Sequence, residues 1–261
     1  MKDKVVVITG ASSGIGAELA RIVGERGGKP VLAARREDAL RDVAATAGPD
    51  ALVVPTDVTK RDEVARLVRT TLDHFGRIDV WVNNAGRGIS KPVSQVTDDD
   101  FDTMMLVNTK SALYGMQAVL PHFKERGDGH IINVSSLLGR VPVAHVRSAY
   151  NAAKHALNAL TGSLRIELQQ DYPGIQVSTV SPGVVATEFG VRALGGGMDS
   201  RQMPNAQPVT EVAEVIADVI ETPRADVYSR PMYKDLIAAY FAADDMAEVE
   251  RRPPFVPPAA K

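Results

Sequence analysis

The 261-residue sequence predicts an α/β fold: a doubly wound, parallel, seven-stranded sheet with helices on both faces, the Rossmann-like three-layer arrangement. Three observations carry that expectation. Apolar runs without alternation, such as Val5 to Ile8, read as strands buried on both faces. Segments of helical period, most of them ten or more residues long, separate these runs, so successive strands lie parallel with right-handed crossovers. Polar or glycine-rich turns follow the runs, at the strand ends where ligands sit in such sheets.

The stretch V-V-V-I-T-G-A-S-S-G-I-G, residues 5 to 16, sets the pattern of strand, glycine turn and helix. Gly10, Gly14 and Gly16 allow a tight turn and let an anionic ligand approach the first N–H groups of the helix. Pro30 to Ala34 is the second strand, closed by Arg35 and Arg36, with a helix to about Ala47. Ala51 to Pro55 is the third. The next helix runs from Thr59 or Lys60 to Phe75, with Val64, Leu67, Val68 and Leu72 on one face.

Asp79 to Val82 is the fourth strand, running into Asn83-Asn84-Ala85-Gly86. Asp98 to Arg126 reads as one long helix capped by the Thr97 to Asp100 run, and His130 to Val134 is a strand ending in Ser135-Ser136. Ser148 to Asp171 is another long helix; Ile175 to Val180 is a strand ending in Ser181-Pro182-Gly183. Regularity then stops, and residues 188 to 208, with Gly195-Gly196-Gly197, Pro204 and Pro208, are expected to form a substrate lid. Val209 to Glu221 (helix), Asp226 to Tyr228 (strand) and Tyr233 to Met246 (helix) follow. The Pro253 to Pro258 segment is non-helical, either docked as extended chain or loose. One domain is expected over residues 1–261, with the last helix and Pro-rich tail over about 232–261.

Thirty basic and thirty-two acidic residues give a net charge of −2, which offers no basic field for nucleic acid or an anionic membrane. The absence of cysteine excludes disulfides, thiolate nucleophiles and cysteine metal sites. No apolar run reaches the roughly 18 residues of a membrane span, and a cytoplasmic protein without metal is expected. Apolar residues on more than one face of two long helices (Met104, Met105, Leu113, Met116; Ala156, Leu157, Leu160, Leu164) point to a homodimer or homotetramer.

The strand ends deliver the glycine turn, Arg35 and Arg36, Asp57, Asn83 to Gly86, Ser135 and Ser136, and Pro182 with Gly183 to one edge of the sheet. Tyr150 and Lys154 stand at i and i+4 on one helix face, where an ammonium lowers a phenol towards working pH. His145 is a lone loop histidine, at the substrate or on the surface. The end of the second strand carries Ala34 and Arg35 in place of a carboxylate that would bind a ribose 2′-hydroxyl. A guanidinium recognises phosphate, so Arg35, with Arg36 and Ser12 or Ser13, should favour NADP over NAD.

Thr9-Gly10-x3-Gly14-x-Gly16, Asn83-Asn84-Ala85-Gly86, Ser136, Tyr150-x3-Lys154 and Pro182-Gly183, in that order, resemble the short-chain dehydrogenase/reductase family, in its branch of roughly 250 residues. The resemblance implies that Tyr150 is the acid/base, that Lys154 holds the nicotinamide ribose and depresses the tyrosine, and that Ser136 binds the substrate oxygen. Asn108 would organise a water in the proton relay. Gly10, Ser12, Ser13, Gly14, Ile15 and Gly16 would hold the cofactor together with Asp57 and Val58, Asn84 to Gly86, Pro182, Gly183 and Thr187; Asp57 caps the adenine. Two features depart from the common pattern: Ser136 lies fourteen residues before Tyr150, and Arg87 follows the Asn-Asn-Ala-Gly turn. Two readings of function follow. One is an NADP-dependent oxidoreductase interconverting a secondary alcohol and a carbonyl, its substrate small and partly apolar; the other is a non-catalytic NADP-binding regulatory or assembly protein on the same fold.

Overall fold

A computed structural model describes residues 1–256. Its sheet has seven parallel strands, β1 (Val5–Thr9), β2 (Lys29–Ala34), β3 (Leu52–Pro55), β4 (Val80–Asn83), β5 (Gly129–Val134), β6 (Ile175–Ser181) and β7 (Asp226–Tyr228), in the order β3-β2-β1-β4-β5-β6-β7. The chain therefore winds outward from β1 in one direction and, after crossing to β4, in the other. Their carboxyl ends flank the crevice that this reversal leaves open, where the site forms.

Alternation along β1 feeds two cores. Val6 and Ile8 face α1 (Gly14–Glu25), α2 (Glu37–Ala47) and α7 (Val209–Glu221), among them Leu19, Val23, Leu40 and Ile216. Val5 and Val7 face α3 (Arg61–Phe75), α5 (Ser111–Arg126) and α6 (Ser148–Leu168), among them Leu67, Val119, Phe123 and Leu168. Burial on both faces explains why Val5 to Ile8 of β1 lack a polar alternate.

The expected helix from Asp98 to Arg126 is not regular. It begins with α4 (Asp98–Met105), under a capping box in which Thr97 Oγ1 accepts from the Asp100 amide and Asp100 from the Thr97 amide. A π-helical turn, Leu106–Lys110, then leads into α5. A π-turn inserts one extra residue and leaves the apolar period intact on either side, so periodicity could not reveal it. Asn108 lies inside it. Of the residues expected to make the helices apolar on several faces, Met104, Met116 and Leu157 belong to the protein's own core. The others are half-buried.

The expected Tyr233 to Met246 helix is also two: α8 (Pro231–Phe241) and α9 (Met246–Glu250). Pro231 fits the first turn, and Asp245 accepts from the Ala247 amide at 2.9 Å, so an aspartate caps a new helix where periodicity had continued the old one. The tail through Val256 forms turns, not extended chain, and docks by stacking Phe255 on Tyr240 with ring centroids 5.2 Å apart. Pro257 and Pro258 lie outside the described residues. Among the described residues no helix is long and apolar enough to cross a membrane, and no cluster of metal-ligating side chains occurs.

Candidate active site

The β1–α1 turn is built so that no side chain could replace its glycines. Gly10 has φ +70°, and a Cβ there would come within 2.8 Å of Ala85 Cα. At Gly16 it would lie 2.5 Å from the Gly10 carbonyl oxygen. Ser13 stands at the N-cap of α1 without a side-chain cap, and the first turn holds no acidic residue. The leading N–H groups and positive dipole end are thus free for an anion.

Asn84 shapes this turn. Its side-chain amide donates to the Thr9 carbonyl at 2.9 Å, while Thr9 Oγ1 accepts from the Asn84 and Ala85 amides at 3.0 and 3.1 Å. Asn83 points the other way, into a buried chain: Trp81 Nε1 donates to Asn83 Oδ1 at 2.7 Å, Asn83 Nδ2 to Asn133 Oδ1 at 2.8 Å, and Asn133 Nδ2 to Thr161 Oγ1 at 2.8 Å. Fully paired, that chain fixes the ends of β4 and β5 against α6. Asn108 fixes Arg87 in turn: its Oδ1 accepts from the Arg87 amide at 3.0 Å and its Nδ2 donates to the Arg87 carbonyl at 2.9 Å. The π-turn brings Asn108 to that position, and Arg87 is accommodated because only its backbone is gripped.

At the ends of β2 and β3 the two arginines separate. Arg36 reaches back to the glycine turn, its Nη2 donating to Ser12 Oγ and Ser13 Oγ at 3.1 and 3.3 Å. Arg35 instead shares a depression with Asp57 and Lys60. Burial pushes the Asp57 carboxyl up, but the Thr59 hydroxyl and amide and the Arg35 charge outweigh it and hold it below the usual range. Val58 is half-buried against the core of that face. Thr187 packs against the glycine turn, 3.3 Å from where a Gly14 Cβ would be.

At the ends of β5 and α6, Tyr150 and Lys154 are both buried. Ser136 Oγ accepts from the Leu138 amide at 3.1 Å and lies close enough to Tyr150 to favour its phenolate. Lys154 Nζ donates to the Val134 carbonyl at 2.8 Å and stands 5.7 Å from the Tyr150 ring centroid. The expected depression of the tyrosine by Lys154 does not appear. Burial pushes the Tyr150 phenol up to about 12; Ser136 and the Arg147 guanidinium oppose the rise without overcoming it. Burial also pulls Lys154 down to about 8, so it stays charged at neutral pH but gives up its proton in mild alkali.

Gly183 donates its N–H to Gln207 Oε1 at 3.1 Å, and the Pro182 carbonyl accepts from the Leu137 amide at 2.7 Å. Tyr233 of α8 covers this turn so closely that a Cβ on Gly183 would meet its hydroxyl. The expected lid segment is pinned by backbone bonds at both ends, Ser90 N to Leu194 O at 2.8 Å and Leu194 N to Gly88 O at 2.9 Å on one side, Gln207 N to Val184 O at 2.8 Å and Ala186 N to Gln207 O at 2.9 Å on the other. Phe189 then lies edge-on to Tyr150, centroids 5.5 Å apart. With Ile89, Met104, Leu138 and Leu194 it makes the phenol's surroundings apolar.

A strand, glycine turn and helix beside a buried Tyr–Lys pair invite comparison with proteins of known family, and a family model for short chain dehydrogenases matches residues 4–193. This chain belongs to the short-chain dehydrogenase family. An uncharacterized oxidoreductase of Staphylococcus saprophyticus is 44% identical over 190 residues, 72% of this chain and 77% of that protein. A short-chain dehydrogenase/reductase from Burkholderia phymatum in complex with NAD has a TM-score of 0.85 at 26% identity, covering 100% of this chain and 99% of that one. A short-chain dehydrogenase from Burkholderia cenocepacia in complex with NADP has a TM-score of 0.80 at 30% identity, covering 96% and 97%. The protein is therefore an oxidoreductase of a family that binds NAD or NADP.

Sequence reasoning missed Arg147 and Tyr233. Arg147 stands at the N-cap of α6, at i−3 from Tyr150, so spacing could have found it. His145, which that reasoning left between substrate and surface, is exposed.

Proposed function

We propose that this short-chain dehydrogenase interconverts a secondary alcohol and a ketone or aldehyde with NADP, Tyr150 acting as general acid/base. The observation that carries the proposal is the grouping of buried Ser136, Tyr150 and Lys154 beside an anion-ready helix end. A bound nicotinamide would supply or accept the hydride. Gly10, Gly14, Ile15 and Gly16 would hold its diphosphate at the start of α1, Asp57 and Val58 the adenine, and Pro182, Gly183 and Thr187 the nicotinamide end, with Ala85 and Gly86 between. Arg36 joined to Ser12 and Ser13, with Arg35 alongside, would take a 2′-phosphate.

The work of the chain's own groups follows from their environments. With its phenol raised to about 12, Tyr150 rests protonated at neutral pH, the form carbonyl reduction needs from a general acid. Ser136 would hydrogen-bond the carbonyl oxygen as charge develops on it. Lys154, anchored by Val134, would bind the ribose and reload the phenol, and Asn108 would hold the relay's backbone in place. Of the lid's apolar residues Phe189, Val191, Leu194 and Met198, the first and third pack with Leu138 around Tyr150 as an apolar wall while Val191 and Met198 stay exposed, so a partly apolar substrate suits the site, and the lid over residues 188 to 208 would open to admit it. Exposed Phe101 and Ile166, 44% and 72% accessible, support a homodimer or homotetramer, and nothing in the net charge of −2 points away from the cytoplasm.

NADPH oxidation with a panel of ketones and aldehydes tests the proposal. Wild-type protein should reduce members of the panel, and Tyr150→Phe should lose about 10²-fold or more of turnover while still binding NADPH. A folded Tyr150→Phe protein that kept most of its rate would refute Tyr150 as the acid/base, and a wild type that binds NADPH but reduces no member of the panel would favour the cofactor-binding assembly protein.

A further inference from the structure

Arg147 is a charge that the reaction just described does not use. Its Nη1 donates to the Ile89 carbonyl at 3.1 Å, and no carboxylate pairs with it among the described residues. The side chain is half-buried, and burial pulls its guanidinium below the usual arginine value. A partly desolvated cation gains when it finds an anion.

Backbone lies close against Arg147 on two sides. A Cβ on Gly88 would come within 3.1 Å of Nη1 and 2.8 Å of Phe189, and a Cβ on Gly197 within 3.3 Å of Nη2 and 2.9 Å of Ser90 Oγ, so the glycines let the guanidinium sit between the lid and its anchoring loop. Gly197 belongs to the lid and Gly88 to the loop that pins it. Arg147 precedes Tyr150 by three residues at the start of α6, and its Nη1 holds the carbonyl of Ile89, which packs in one apolar cluster with Tyr150, so the cation and the acid/base lie in one compartment. Elsewhere the walls of that compartment are apolar, with Phe189 and Ile89 against Tyr150.

The geometry points to a substrate that carries a carboxylate, bound by Arg147, on an apolar body that brings its carbonyl to Tyr150. This rests on the oxidoreductase reading and narrows its substrate to the oxo-acid and hydroxy-acid class. A planar fork with donors left over matches a carboxylate in two-point contact, which a neutral ester cannot reproduce. The anion would also complete the lid, because the guanidinium touches both sides of its seam.

The probes are pyruvate, acetoacetate and levulinate, each against its methyl ester, so that the spacing between charge and carbonyl varies. For at least one pair the wild-type kcat/KM should favour the acid tenfold or more. Arg147→Met should remove that preference through KM, costing the acid far more than the ester, while Arg147→Lys should restore part of it. If Arg147 only poised the Tyr150 phenol, acid and ester would fall together and the pH profile would move, which overturns the proposal. So would a wild-type enzyme that reduces the esters as well as the acids, though it would leave the oxidoreductase reading intact. A binding arm needs no turnover: each probe is titrated by calorimetry into Tyr150→Phe protein with and without NADPH. An acid that binds tenfold tighter than its ester, and loses this in the Tyr150→Phe, Arg147→Met double variant, supports the anion site even if nothing is reduced. Equal binding of acid and ester in all three pairs overturns it.

Discussion

Replacing Lys154 with methionine should remove activity and yet leave the cofactor-free protein at least as stable as before. Burial pulls the ammonium from 10.5 to about 8; at about 1.4 kcal/mol per pH unit, the charged lysine is roughly 3 kcal/mol unfavourable in the fold. Methionine keeps the apolar stem but takes the donor from the Val134 carbonyl, now bonded at 2.8 Å, a loss of about 1 to 3 kcal/mol. At neutral pH the variant should therefore range from equal stability to about 2 kcal/mol more stable. The pH dependence separates the two contributions. Because the folded value lies below the unfolded one, the unfolded chain binds more protons between about pH 8 and 10.5, and wild-type stability rises through that window. Below it both states are charged and the penalty is complete. Urea unfolding from about pH 7 to about pH 10 should show the wild type gaining on the variant by about 1 kcal/mol per pH unit above pH 8. Tyr150 does not disturb this range: its raised value favours the fold until the unfolded tyrosine ionises near 10, and it is common to both proteins. Parallel stability curves for the two proteins would refute the claim that Lys154 is a destabilising buried charge.

Arg36→Ala should weaken NADPH far more than NADH, by about 1.5 to 3 kcal/mol in binding titrations, and Arg35→Asp should do so through repulsion. A wild type that binds both cofactors equally would reduce the pair to surface residues. Burial holds His130 near 3, neutral in the fold, so its contribution is present above about pH 6.5 and is lost as acid protonates the unfolded chain, by about 2 kcal/mol at pH 5. Thermal melts of His130→Asn should show a shallower acid slope than wild type, and identical slopes would defeat the assignment. Light scattering should report a dimer or tetramer at micromolar concentration; a monomer would mean that Phe101 and Ile166 are merely exposed.

The sheet was legible because its strands are buried on both faces: apolar runs such as Val5 to Ile8 of β1 mark them, and helices must separate parallel strands. The glycine turn was legible for a steric reason, since Gly10 and Gly16 meet backbone where any Cβ would sit. What stayed hidden was local hydrogen bonding. The π-turn at Leu106–Lys110 leaves the apolar period unchanged, and the break before Met246 depends on which carboxylate caps. Nor could spacing tell Asn83 from Asn84, adjacent in sequence, one wired into the core and the other clamping the cofactor turn. The balance of electrostatics was least visible. An i, i+4 lysine argues for a low tyrosine value, but only the enclosing apolar walls show that desolvation wins.

Trp81 is the only tryptophan in the chain, and the fold has put it where light can read the site. Its indole is fully buried and hydrogen-bonded to Asn83, the residue before the clamp on the glycine turn. Excited selectively over the tyrosines, this single dry indole should emit homogeneously and at short wavelength, in the band where a reduced nicotinamide absorbs. Quenching of Trp81 by energy transfer should therefore report arrival of the proposed dinucleotide without a label, and its red shift should report unfolding on a separate spectral axis. One residue serves as both gauges, so occupancy and integrity of the fold can be followed in the same cuvette, for every variant that leaves β4 untouched.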